Sequence, residues 1–190
     1  MDNYWRTEAM VIFVHINKTA GTSVARALGQ PLTAHPTAEE IRDRIGRRVY
    51  ESKPSFAVVR NPFDRFVSLF EFRRRRGLIP DGISFDHWTR ETIVERNPIW
   101  MGNSRWFMPQ ICWVTAAADR GTLIVNEIAR FESLNTDFAR IVCPLGITTQ
   151  LPVLNSSSGR GRYRDYYTSE TREMVTGYYA QDLDTWDYEF

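Results

Sequence analysis

The sequence predicts an α/β fold, a single domain over residues 1–190 with a mainly parallel central sheet flanked by helices. Three observations lead there. Short apolar runs rich in β-branched residues alternate with segments of helical periodicity. The leading run passes at once into a small, polar, glycine-containing turn and a helix start, the strand–loop–helix unit typical of P-loop-like phosphate sites. The 190 residues amount to one ordinary domain, and no repeat, low-complexity tract or linker divides them.

The elements follow in chain order. Residues 8–16 contain a continuous apolar run that reads as a strand buried on both faces. Asn17–Ser23 is a turn, and Val24–Leu28 is helical until Gly29 and Pro31 stop it. Residues 36–48 form a charged helix, with Thr37 and Glu40 spaced as a capping box. Ser55–Arg60 is a second strand. Asn61 and Pro62 are an N-cap and first-turn pair. Phe63, Phe66, Val67 and Phe70 then recur at helical spacing. Residues 85–95 and 103–118 read as helices, Thr122–Asn126 as a third strand, and Glu132–Leu145 as a helix ended by Gly146. A Ser/Gly/Arg loop at 155–162 precedes a last helix over about Ser169–Asp182.

Composition removes several classes. Hydrophobic residues at 43% and charged residues at 25% exclude a long disordered chain and a collagen-like one. The longest charge-free apolar run falls far short of the ~20 residues a membrane span needs. A net charge of +1 argues against nucleic-acid binding by bulk electrostatics. The opening residues lack signal-peptide character. Cys112 and Cys143 fit neither a metal site nor a disulfide framework and read as buried free thiols in a reducing, cytoplasmic setting.

Two segments carry chemistry. In Asn17-Lys-Thr-Ala-Gly-Thr-Ser23, Gly21 permits close backbone approach or positive φ, Lys18 supplies a mobile charge, and the hydroxyls supply donors. The combination suits a phosphate. Lys18 precedes Gly21, so this is not the Walker pattern, in which the lysine follows the glycines. No acidic residue obviously closes a strand to hold Mg²⁺, which points to a phosphate held without a metal. The second segment is Arg60 at a strand end, with Arg65 and Ser68 three residues apart on the helix beyond. An arginine fork beside a hydroxyl suits a phosphate monoester; pairing of the arginine with Asp64 or Glu71 is the plainer alternative.

Taken together, Phe13–Ser23 and Phe56–Ser68 resemble the sulfotransferases that use 3′-phosphoadenosine 5′-phosphosulfate (PAPS), most of all the carbohydrate-type group related to heparan sulfate 2-O-sulfotransferases. Further similarity runs through Gln110 with Trp113, Arg130-Phe131-Glu132, Leu154-Asn155-Ser156 and Tyr178–Phe190. Asn17 stands where that group usually has proline, and the chain is short for the group. The resemblance implies that Lys18 contacts the 5′-phosphosulfate and steadies the leaving phosphate. It implies that Thr19, Ala20, Gly21, Thr22 and Ser23 cradle it, and that Arg60 and Ser68 hold the 3′-phosphate. Ser158, Gly159, Arg160 and Arg162 would close over the nucleotide, and the product would be adenosine 3′,5′-bisphosphate.

Transfer to a hydroxyl needs a base, and histidine is the natural one near neutral pH. His15, His35 and His87 are the candidates; the resemblance favours His35. The resemblance implies a hydroxyl acceptor, a carbohydrate or another small molecule, and leaves carbohydrate, lipid, peptide and polyketide hydroxyls open. Glu39, Glu40, the Arg73–Arg76 run and the tryptophans at 88, 100, 106 and 113 could bear on it, but solvated faces for the charged residues and core packing for the tryptophans are the favoured readings. A P-loop-type kinase and a non-catalytic anion-binding module are the alternative functions.

Overall fold

A computed structural model describes residues 9–31, 35–116, 119–152 and 161–190. The chain divides into two compact units, Met1–Arg60 with Gln110–Ser156, and Asn61–Pro109 with Ser157–Phe190.

The first unit holds the sheet. Strand β1 (Ile12–Val14) pairs in parallel with β2 (Ser55–Val59). Both strands are wholly buried, which is why they read as unbroken apolar runs. The turn after β1 enters helix α1 (Gly21–Ala27) three residues earlier than its apolar pattern suggests. The charged segment forms α2 (Ala38–Ile45) and α3 (Arg47–Glu51), separated by Gly46 at φ 88°. The Thr37–Glu40 capping box is present in both directions, at 3.1 and 2.9 Å.

Downstream, two expected elements are replaced. The helix expected over 103–118 is instead a short 3-10 turn (Ser104–Phe107) and, past Pro109, a one-turn helix (Ile111–Val114). The chain then enters a hairpin of β3 (Thr115–Ala116) and β4 (Asp119–Leu123). The third parallel strand is not Thr122–Asn126 but β5 (Glu127–Arg130), which pairs with β2. As the edge of a sheet ordered β1-β2-β5, it buries only Ala129 fully and lacks an apolar run to announce it. Asn126 sets its register: its Oδ1 accepts from the Ser55 amide and hydroxyl, both at 2.9 Å. The following helix (Leu134–Val142) lays Phe138, Ile141 and Val142 on a core of Val11, Phe13, Val24, Phe56 and Val58. Both cysteines are exposed, against the expectation of buried thiols. Cys112 falls on the outward side of its short helix, and Cys143 in the 3-10 turn after Val142.

The second unit is helical. Helix α4 (Pro62–Arg75) starts as expected, with the Asn61 side chain accepting from the Phe63 amide at 3.0 Å. Phe63, Phe66, Val67 and Phe70 join Phe85, Trp88, Phe107, Val175 and Tyr179 in one core. Residues 85–94 are helical, as an α turn (Phe85–Thr89) followed by a π turn (Arg90–Val94). The terminal helix breaks into Ser169–Tyr178 and Ala180–Trp186. Among the described residues, no helix is long and apolar enough to cross a membrane.

Candidate functional site

All three strands of the sheet run the same way, so the segments that follow them leave from one rim. Ligands of α/β sheets bind beyond such carboxyl ends. The departing residues here are His15–Ser23, Arg60 and Phe131.

The turn after β1 is held in an unusual conformation. Lys18 and Ala20 both have left-handed backbones, at φ 65° and 63°. Such non-glycine residues carry strain of about 1–3 kcal/mol each and persist only where surrounding structure imposes them. Thr19 between them is fully buried, and its hydroxyl donates to the Ile16 carbonyl at 2.9 Å. The Ala20 carbonyl accepts from the Ser23 amide at 2.9 Å and opens α1. Left-handed kinks of this kind gather successive backbone N–H groups into an anion-binding hollow.

Gly21 is required by space rather than by φ. A Cβ built there would lie 1.8 Å from His15 Cδ2 and 1.9 Å from His15 Nε2. The His15 ring is only 6% exposed, stacks on Phe13 at 5.6 Å, and meets the His35 ring edge-on at 4.3 Å.

Arg60 is fixed at three points. Its backbone lies just past β2, where Gln110 replaces a strand neighbour. The Arg60 amide donates to Gln110 Oε1 at 2.9 Å, and Gln110 Nε2 donates to the Arg60 carbonyl at 2.8 Å. The guanidinium carbon sits 4.0 Å from the Phe131 ring centroid. Nη1 donates to the Lys18 carbonyl at 3.0 Å. Lys18 and Arg60, 42 residues apart, therefore meet on one rim.

His35 lies beside His15. Its Nδ1 is 2.9 Å from the His15 carbonyl oxygen, which can only accept, so Nδ1 carries the hydrogen. In the neutral ring the lone pair then belongs to Nε2. Burial, and secondarily the neighbouring His35, push His15 down to about 3. Its Nδ1 has no hydrogen-bond partner among the described residues. His15 is thus a neutral packing residue rather than a base. Its folded value lies below the ordinary 6.5, so the unfolded chain takes up the proton first. Stability should accordingly fall as pH drops from about 6.5 towards 3. Urea midpoints measured across that range should decline less steeply in a His15→Asn variant; equal slopes would refute the buried neutral ring.

Residues 5–189 match the family model described as Sulfotransferase family. The chain belongs to that family. The match runs across both units of the sulfotransferase-family chain. A solved relative is the crystal structure of a sulfotransferase from Alicyclobacillus acidocaldarius, 16% identical, with a TM-score of 0.44 over 80% of this chain and 60% of that one. The chain thus spans about 60% of the length of that protein. No curated relative matches it.

Elsewhere in this sulfotransferase-family protein, other sequence candidates take their places. In the second unit, Ser68 is buried on α4, and Arg65 donates to the Met108 and Trp106 carbonyls at 3.2 and 3.4 Å, a structural role. His87 is exposed there and faces Trp100 at 6.2 Å. Arg162 is exposed before a 3-10 turn, while Ser158, Gly159 and Arg160 lie outside the described residues. The arginine run splits: Arg73 is buried and donates to the Trp100 carbonyl at 2.7 Å, whereas Arg74, Arg75 and Arg76 are exposed. Trp88 and Trp113 are fully buried core residues of their respective units. Glu40 serves the capping box, and Glu39 pairs with Arg42 at 3.3 Å. Among the described residues no group of three or more His, Cys, Asp or Glu could hold a metal. A cavity of about 440 Å³ lies at the opposite, amino end of β2 and β5, lined by residues including Lys53 and Arg140. Those two are engaged, Lys53 with the Ala9 carbonyl and Arg140 with Glu127, both at 2.7 Å.

Sequence reasoning gave Gln110 and Phe131 no task. Gln110 is 50 positions from the residue it clamps, and no local spacing marks it. The one available signal was that both recur in segments similar to the family.

Proposed function

We propose that this chain is a PAPS-dependent O-sulfotransferase, acting on a hydroxyl of a carbohydrate or another small molecule. The observation that carries the reading is the 3.0 Å bond from Arg60 Nη1 to the Lys18 carbonyl, which sets two cationic residues from separate phosphate-type segments at one rim. The fit to a nucleotide rests on the turn itself. Lys18 and Ala20 both take the left-handed backbone from which anion-binding N–H hollows are built.

The donor supplies a sulfuryl group on its 5′-phosphate, which passes to the acceptor oxygen as adenosine 3′,5′-bisphosphate departs. Lys18 and the N–H groups of Thr19–Thr22 bind that end and stabilise charge growing on the leaving phosphate, while the Ser23 amide is committed to the Ala20 carbonyl. The Thr19 hydroxyl hydrogen is committed to Ile16, so its contribution is the backbone. Arg60 holds the 3′-phosphate. His35 takes the acceptor proton on Nε2, the nitrogen left basic by the His15 carbonyl.

Titration with adenosine 3′,5′-bisphosphate and, separately, with ATP plus Mg²⁺ tests the reading. The bisphosphate should bind more tightly, and tighter binding of ATP overturns the assignment. Lys18→Ala should weaken both bisphosphate binding and turnover, because the lysine acts in ground and transition states alike.

A further inference from the structure

We infer that Arg60 is also the positioning residue of the Lys18 turn, a strut that holds the 5′ half of the site in shape whether or not a 3′-phosphate is present. The inference rests on the donor reading above. Immobilisation alone would only preorganise an arginine for a phosphate; the bond to a carbonyl of the turn is what adds the second task. Arg60 is only 6% exposed and is fixed at backbone and side chain alike. Its Nη1 acts on the carbonyl of Lys18, one of two left-handed non-glycine residues that give the turn its shape. Pulling on that carbonyl fixes the peptide plane between Lys18 and Thr19, and with it the direction of the Thr19 N–H.

The planar guanidinium suits this double duty. It sits over the Phe131 ring while one of its five N–H donors is given to Lys18, and a lysine keeps the charge but lacks the fork. Gln110 is the anchor, since its Oε1 and Nε2 bond the Arg60 amide and carbonyl at the point where the guanidinium must leave the sheet. The two ends of the nucleotide are therefore coupled through one side chain.

The test uses the full chain and the variants Arg60→Lys and Gln110→Met. Amide hydrogen exchange of residues 17–21 is followed without ligand, and affinities are measured for adenosine 5′-monophosphate and adenosine 3′,5′-bisphosphate. Arg60→Lys should speed exchange in the turn and weaken the monophosphate about tenfold, the worth of one charged hydrogen bond, although that ligand has no 3′-phosphate to lose. Gln110→Met should move both readouts in the same direction while retaining the guanidinium. If Arg60→Lys weakens only the bisphosphate and leaves exchange and monophosphate binding unchanged, the strut is refuted while the donor reading stands. A wild-type protein that binds neither nucleotide refutes the donor reading and, with it, the link to the 5′ end.

Discussion

Gly21→Ala should destabilise the protein by about 3 kcal/mol, the upper end of what overpacking ordinarily costs. The added methyl would fall 1.8 Å from a ring carbon of His15, a separation that no small adjustment relieves. The ring itself has nowhere to go, being 6% exposed and braced by Phe13 and His35. Either α1 moves off the sheet or the imidazole leaves its slot, and both disturb the Lys18 turn. Denaturant midpoints measure the loss. Removing the obstacle should recover much of it, so Gly21→Ala combined with His15→Ala should be more stable than the sum of the two single changes. A single Gly21→Ala variant within about 0.5 kcal/mol of wild type, the ordinary range of a harmless surface change, would show that the contact is not there.

His35→Ala should lower turnover by about 10²–10⁴-fold, the range assigned to a positioned proton acceptor. Binding of adenosine 3′,5′-bisphosphate should stay close to wild type, because the proposed role of the ring concerns the acceptor proton and not the nucleotide. The separation of the two effects is informative: a variant with collapsed packing would lose both. Turnover unchanged by the substitution would exclude His35 as base. The geometry also makes a finer demand. With Nδ1 donating to the His15 carbonyl, the basic nitrogen is Nε2, so a substitution that mimics only the Nδ1 donor, such as His35→Asn, should not restore the rate.

Much of the framework is visible in the chain, for reasons that differ from place to place. β1 and β2 announce themselves because strands covered on both faces must be apolar throughout. The Thr37–Glu40 box and the Asn61-Pro62 start are local hydrogen-bond chemistry, and local chemistry is what spacing reports. β5 escapes notice because an edge strand tolerates Glu127 and Arg130, while the more apolar Thr122–Val125 divides between a hairpin and the approach to β5. The exposure of Cys112 was hidden for a related reason: a one-turn helix is too short to display a face. The site divides in the same manner. Lys18, Gly21 and Arg60 can be read from their positions after strands. The wedge of His15 against Gly21, the Gln110 clamp and the Phe131 platform arise only when distant segments meet.

The Gln110 clamp also has a consequence for biosynthesis. Arg60 leaves the ribosome some 50 residues ahead of Gln110 and some 70 ahead of Phe131, so until then its N–H, carbonyl and guanidinium lack these three supports. A nascent chain that stalls before residue 131 therefore carries the motif without the assembled rim, which is completed late in translation, well after the residues that bear its charge.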